Sequence, residues 1–433
     1  MKSSPPLARL PLLALFTAAL LLVATAGCDR SASGPAATNE SVAVASAMGG
    51  GDTTGYARAT QPRPLAFPED HGPHPGFKTE WWYLTGNLDA PGGRHLGYQF
   101  TIFRVATAPP DSGGSAGSNA PVQPASAASA DTSTSRWGTR QFYMAHLAVS
   151  DVENERHYDF EQFARGAAGL AGAQAAPFRV WTSGWELVEQ DATGDGDIFP
   201  LRVAAQAGGD SGETGGGSGE KSVTLDLRLT AAKQKVLQGE RGLSQKGPGT
   251  GNASYYYSFT RLPTEGRVAL GGDTLGVSGT SWMDREWSTS ALGTEQEGWD
   301  WFALQLEGGR ELMYYQLRKK SGAPSRFSEG VLVGPQGGVT RLSREDVTLD
   351  VRERWTSESG ATYPAKWRLR VPSANLDLTV TPYFEDQVMS TSVRYWEGAV
   401  RVEGPAGSAA GSGYVELTGY GNAESGGEET VLP

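Results

Sequence analysis

A single cysteine, Cys28, is the first thing this sequence is short of, so no disulfide can form within the chain. Histidine is scarce as well. There are five, and only His71 and His74 lie close together, without the second pair of ligands at defined spacing that a zinc site needs, so no metal is expected. Basic residues are outnumbered, with Lys and Arg totalling 37 against 48 Asp and Glu, and nowhere do they form a compact run. That excludes the electrostatic footprint of a nucleic-acid-binding protein. Gly92–Gly97 lacks the strand-to-helix setting of a nucleotide loop, and no cofactor is expected. Amphipathic helices with caps are also missing.

Only one long apolar run exists, Leu10–Ala24, following Lys2 and Arg9. Its length suits the h-region of an export signal better than a membrane span. It ends at Thr25-Ala26-Gly27-Cys28, small residues directly before the lone cysteine, which resembles a bacterial lipobox. Residues 1–28 are therefore expected to be a lipoprotein signal peptide ending at a lipidated Cys28. Residues 29–60 are rich in Ala, Ser, Gly and Thr and read as a flexible tether. Asp29 resembles the signal that keeps some lipoproteins at the inner membrane, so the expected location is the bacterial cell envelope, lipid-anchored on the periplasmic side of that membrane.

Past the tether the period is two. Val223, Leu225, Leu227 and Leu229 alternate with polar neighbours, as do Trp367, Leu369 and Val371 and then Leu376, Leu378 and Val380. With 58 glycines and short runs between turn signals, this predicts an all-β barrel or sandwich. Gly/Ser/Ala-rich insertions interrupt it at about 106–135, 204–220 and 239–252. A faint repeat relates Phe67–Arg104 to Gly298–Arg318, each a Trp-rich strand leading through Gly-Gly to a second strand closing on Arg. Two β-domains follow, 61–253 and 254–433.

Two stretches could carry chemistry. In Lys78–Tyr83 the alternation puts Glu80 and Trp82 on one face, Trp81 and Tyr83 on the other, with Lys78 the nearest partner for a buried Glu80. In Ser281–Ser288, Asp284 and Glu286 share a face and could divide acid and base roles, while Met283, Arg285 and Trp287 lie opposite. Trp299 and Trp301, with Tyr314 and Gln316 on the next strand, add aromatic surface suited to a large apolar ligand.

These segments, FPEDHGPHPGFKTEWWYLTGN, GYQFTIFR, SWMDREWS, Gly298–Arg318, RYWEGAVRVEG and GYVELTGY, are similar to the two-domain lipocalin-like family. That family includes the AttH component of a bacterial ABC export system and carotenoid 1,2-hydratase (hydroxyneurosporene synthase). The resemblance implies two consecutive lipocalin-like, calycin-type antiparallel β-barrels. It also implies a hydrophobic ligand, lipid or terpenoid-like, held by a membrane-anchored protein accessory to an AttEFGH-like ABC permease and ATPase. The alternative it implies is a hydratase acting on a polyene, with Asp284 as proton donor assisted by Glu286, Trp287 and Glu80; a hydrolase has no warrant in the residues. Arg285 stands where the hydratase motif carries histidine, which favours the AttH-like branch. The expected ligand wall is Trp82, Trp287, Trp299, Trp301, Tyr314 and Gln316; a partner-binding scaffold with closed barrels is the third possibility.

Overall fold

The computed structural model describes residues 42–43, 52–110, 138–191, 196–208, 222–290, 292–405 and 411–421. The expected signal peptide, Cys28 and most of the tether lie outside the described residues. What is described is all-β, with two short 3-10 turns at Glu69–His71 and Pro372–Ala374.

Two curled antiparallel sheets make up the fold. The first runs in the spatial order β5 (Arg156–Arg165), β4 (Gln141–Asp151), β3 (His95–Ala106), β2 (Thr79–Asp89), β14 (Asp273–Ser290), β13 (Ala253–Leu270), β10 (Val223–Leu229), β9 (Leu201–Ala207), β8 (Trp185–Glu189), β7 (Arg179–Thr182) and β6 (Ala171–Gln174). β11 (Val236–Leu237) and β12 (Leu243–Gln245) pair with β13. The second runs β18 (Val339–Leu342), β17 (Glu329–Val333), β16 (Arg310–Lys319), β15 (Gln296–Leu306), β24 (Gly411–Leu417), β23 (Val393–Glu403), β21 (Leu376–Pro382), β20 (Thr362–Val371) and β19 (Thr348–Thr356). β22 (Val388–Ser390) pairs with β23, and β1 (Val42–Ala43) lies parallel to it. The chain thus passes from one sheet to the other between Ser290 and Gln296, not at 253/254 where the sequence placed the domain boundary. The expected break falls in a real turn-rich segment, but the two long strands after it belong to the first sheet.

The repeat seen in the sequence corresponds to two hairpins, β2–β3 and β15–β16. Each turns on a Gly pair with positive φ, Gly92 and Gly93 at 86° and 87°, Gly308 and Gly309 at 76° and 73°. Those positions need a residue that enters the left-handed region without steric cost, which glycine does.

Period-two alternation sorts side chains into three layers. Trp82, Phe100, Leu147, Leu225 and Tyr257 fill the first sheet's concave side. Phe302, Tyr314, Trp367, Trp396 and Val415 fill that of the second. Between the sheets lie Tyr83, Tyr256, Trp282, Trp301, Tyr315 and Tyr414, joined by a smaller group that includes Phe103, Met144 and Tyr395. The sheets approach closely at Gly97, where a Cβ would sit 2.4 Å from that of Ala399. Nearby, Asn87 Nδ2 donates to Gly413 O at 2.9 Å. Lys233 and Arg261 also reach across, donating to the buried Glu311 at 2.7 and 2.5 Å.

Candidate functional site

Glu80 and Asp284 come from neighbouring strands but face opposite ways, and two separate polar clusters result. Glu80 points into the first sheet with Trp82, as its alternation predicts. Its partners are not Lys78, which turns to Asp52 O at 3.1 Å, but Arg104 and Arg285, both hydrogen-bonded to its carboxylate. His74 N–H adds bonds of 3.0 and 3.1 Å, and the His74 ring lies flat on Trp287, centroids 3.9 Å apart at 5°. Burial alone would raise the Glu80 carboxyl; Arg104 and Arg285 hold it well below the usual range instead. The Arg285 guanidinium in turn sits 4.0 Å over Trp82 and donates to Gly72 O at 2.6 Å. Asp70 links Arg63, at 2.5 Å, to His74, at 2.8 Å. His71 bonds Tyr257 OH at 2.7 Å, and burial depresses its pKa to about 3, so it is a neutral packing group. This whole cluster locks the Asp70–His74 loop onto the barrel, and every acid in it is ion-paired.

Asp284 and Glu286 lie on the other face of β14, between the sheets. Asp284 Oδ1 accepts from Ser258 Oγ at 2.5 Å and Trp282 Nε1 at 2.6 Å, and Oδ2 accepts from Tyr256 OH. Burial pushes its pKa up to about 7 despite those three donors, with Glu286 adding to the rise. Glu286 accepts from Ser254 Oγ and lies 3.4 Å from Lys246 Nζ, which itself sits 3.8 Å over the Tyr315 ring.

The second sheet answers with Glu397 and Glu416, directly opposite each other on β23 and β24. Two carboxylates so placed cannot both ionise cheaply in a buried setting. Burial pushes Glu416 up to about 8, with the Asp284 and Glu286 charges contributing, and raises Glu397 well above its usual range, with Glu416 contributing. Glu416 Oε1 accepts from Trp299 Nε1 at 2.9 Å; Glu397 Oε2 accepts from Tyr83 OH at 3.0 Å, while its Oε1 is buried without a partner among the described residues. Around these acids Trp81, Trp299 and Glu416 keep partial exposure, whereas Tyr83, Tyr256, Trp282 and Trp301 are buried. Trp301 meets Tyr83 edge-on at 5.3 Å and donates to Tyr256 OH at 3.2 Å. The arrangement is an aromatic-walled seam holding carboxyls that keep protons near neutral pH, the equipment of a general acid in an apolar surrounding.

The predicted site residues therefore divide. Asp284, Glu286, Trp299 and Trp301 come together between the sheets. Glu80, Trp82 and Trp287 are inside the first sheet, screened from Asp284 by the sheet itself, so Glu80 and Trp287 cannot serve Asp284 directly. Tyr314 belongs to the second sheet's own core; the residue opposite Trp301 is Tyr315, and Gln316, two residues on, shares the face of Tyr314. A one-residue phase error on β16 moves the whole set to the wrong face. The single wall from Trp82 to Tyr314 does not form. Glu397, Glu416, Tyr83, Tyr256 and Lys246 were missed, although Glu397 and Glu416 stand in strands that are otherwise apolar on their buried faces.

Comparison with known proteins was made on this basis. Residues 58–420 match the model of the AttH-like family. A crystal structure of an AttH candidate from Nitrosomonas europaea, at 31% identity, superposes with a TM-score of 0.68 over 84% of this chain and 99% of that one. Kievitone hydratase from Nectria haematococca shares the fold at 14% identity, with a TM-score of 0.56 over 85% of this chain and 96% of that one. No curated protein sequence matches.

Proposed function

The chain belongs to the AttH-like family, and from that premise we propose that it holds an apolar small molecule, lipid or terpenoid-like, between its two barrels. The observation that carries this reading is the pair of partly exposed tryptophans, Trp81 from the first sheet and Trp299 from the second, flanking buried aromatic rings of both. Broad aromatic surface with few polar groups suits a large apolar ligand. The lipobox at Cys28 would tether the protein to the envelope, and an AttEFGH-like ABC exporter is the partner this setting fits. Titration with all-trans-retinol, read as energy transfer from tryptophan, tests the seat. Saturable binding weakened roughly tenfold or more by Trp81→Ala and Trp299→Ala is expected. Binding that ignores both substitutions would place the ligand elsewhere, and Cys28→Ala protein that stays with the membrane fraction of its host would remove the anchor.

A second reading is favoured by one observation, the raised pKa values of Glu416 and Asp284. A protonated carboxyl beside an apolar ligand can protonate a carbon–carbon double bond, and water then adds to the resulting cation, as a hydratase requires. Kievitone hydratase, which shares the fold, is by its name a hydratase. If Glu416→Gln and Asp284→Asn leave a bound polyene unaltered in affinity but stop incorporation of solvent deuterium into it, the acid reading stands; unchanged incorporation sinks it.

A further inference from the structure

One polar row crosses the outer face of the first sheet: Glu161, His146, Thr101, Tyr83 and Asp284 lie directly opposite one another on β5, β4, β3, β2 and β14. Thr101, Tyr83 and Asp284 are its inner part. At the outer end Glu161 Oε1 is 3.0 Å from His146 Nε2, and His146 Nδ1 is 2.6 Å from the Tyr395 hydroxyl, which comes from the second sheet. Ser392 fixes Glu161 from that sheet too, through Oγ at 2.6 Å and N–H at 3.2 Å. The carboxylate on Nε2 selects the tautomer in which Nδ1 accepts the Tyr395 proton. His146 is 1% exposed and Glu161 14%, so the chain of bonds begins at solvent and ends in the seam. There Tyr395 packs with Trp81 and Trp299, close enough to Glu397 and Glu416 that their charges bear on its phenol.

We propose that Glu161, His146 and Tyr395 form a proton path joining solvent to the carboxyl pair Glu397–Glu416. The inference rests on that pair being the proton-bearing group of the seat. In the releasing direction a proton leaves Glu416 and crosses the space bordered by Trp81 and Trp299, through a water or a polar atom of the ligand, to the Tyr395 oxygen. The Tyr395 hydroxyl proton moves to His146 Nδ1, the Nε2 proton moves to Glu161, and Glu161 yields it to solvent. One proton enters the path and one leaves, with no change of oxidation state, and the ring is left as its Nδ1–H tautomer; recharging the acid runs the same steps backward from that tautomer and restores Nε2–H. These three residues are positioning and relay groups, and contact with the ligand is made by Glu416.

Several charged and titratable groups face the pair and the path. They are Asp284, Glu286 with its partner Lys246, and the phenols of Tyr83, Tyr395 and Tyr414 around the carboxyls, with Glu161 and Tyr395 beside His146. The test is an upward pH jump across the Glu416 pKa of about 8 on the full chain, followed by time-resolved infrared absorption of protonated carboxyl groups. Glu416→Gln identifies the band. Tyr395→Phe and His146→Gln are expected to keep its equilibrium amplitude and slow its loss by about tenfold or more. Glu161→Gln, at the accessible end where folding is least at risk, should slow it as well. Wild-type rates in all three path variants would overturn the path while leaving the acid in place. Should Glu416→Gln remove no band, the pair is ionised, and the path falls together with the acid reading, whereas retinol binding still decides the seat separately.

Discussion

Glu80 is the residue on which the first barrel's polar interior turns, because two guanidinium groups and the His74 backbone converge on one carboxylate. A buried charge network gains little over a well-packed apolar one, but removing one member leaves the others uncompensated. Glu80→Gln should therefore destabilise the protein by about 3–5 kcal/mol, seen as a lower urea midpoint. Retinol binding at the seam, on the far side of the sheet, should persist in the folded fraction. A loss of binding without a loss of stability would instead assign Glu80 to the ligand.

At the scale of the strand, β14 shows both the reach and the limit of reading alternation. Asp284 and Glu286 on one face and Arg285 and Trp287 on the other were legible from spacing alone, because one flanking strand on each side fixes the pleat. What each face meets was not legible. Arg104 faces Glu80 across the β2–β3 hairpin, a pairing within reach of the turn's register, but Glu416 lies 132 residues from Asp284 by number, and no local pattern could report that their charges interact. The choice of Tyr314 over Tyr315 failed for the related reason that β16 is apolar on both sides, leaving its phase unmarked. The close approach of β3 and β23 offers a test of the interface. Gly97→Val drives a side chain into Ala399 and should cost about 1–3 kcal/mol or more, measured by urea denaturation, with Ala399→Gly in the same chain restoring part of the loss.

Across the whole molecule, buried ionisable groups pull stability in opposite directions with pH. Glu416 and Asp284 have folded pKa values of about 8 and 7 against ordinary values of 4.5 and 3.8. Between those limits the folded chain binds more protons than the unfolded one, so their contribution is lost as pH rises and is gone above about 8. His71 and His157, held neutral by burial with pKa values of about 3, act the other way, losing their contribution as pH falls below 6.5. Asp70 and Glu80, whose pKa values are depressed, add a loss at still lower pH. The balance puts maximum stability on the acid side of neutrality. Glu416→Gln should lose less stability than wild type between pH about 5 and about 9, by up to about 4 kcal/mol, in paired urea titrations. An equal loss in both would mean Glu416 is ionised throughout.

The passage between sheets after Ser290 also dictates an order of events during synthesis. β13 and β14 sit between β2 and β10, so the first barrel remains two unjoined pieces until residues 253–290 have been made. One edge of its earliest strand, β2, pairs at once with β3, but the other waits for β14 about 200 residues downstream, a non-local pairing of the kind that forms slowly and leaves edges open to aggregation. A chain released at residue 253 should accordingly show no cooperative unfolding transition, whereas one released after residue 295 should. For the exported, lipid-anchored protein proposed above, such delayed closure would keep the emerging chain threadable until most of it has left the ribosome.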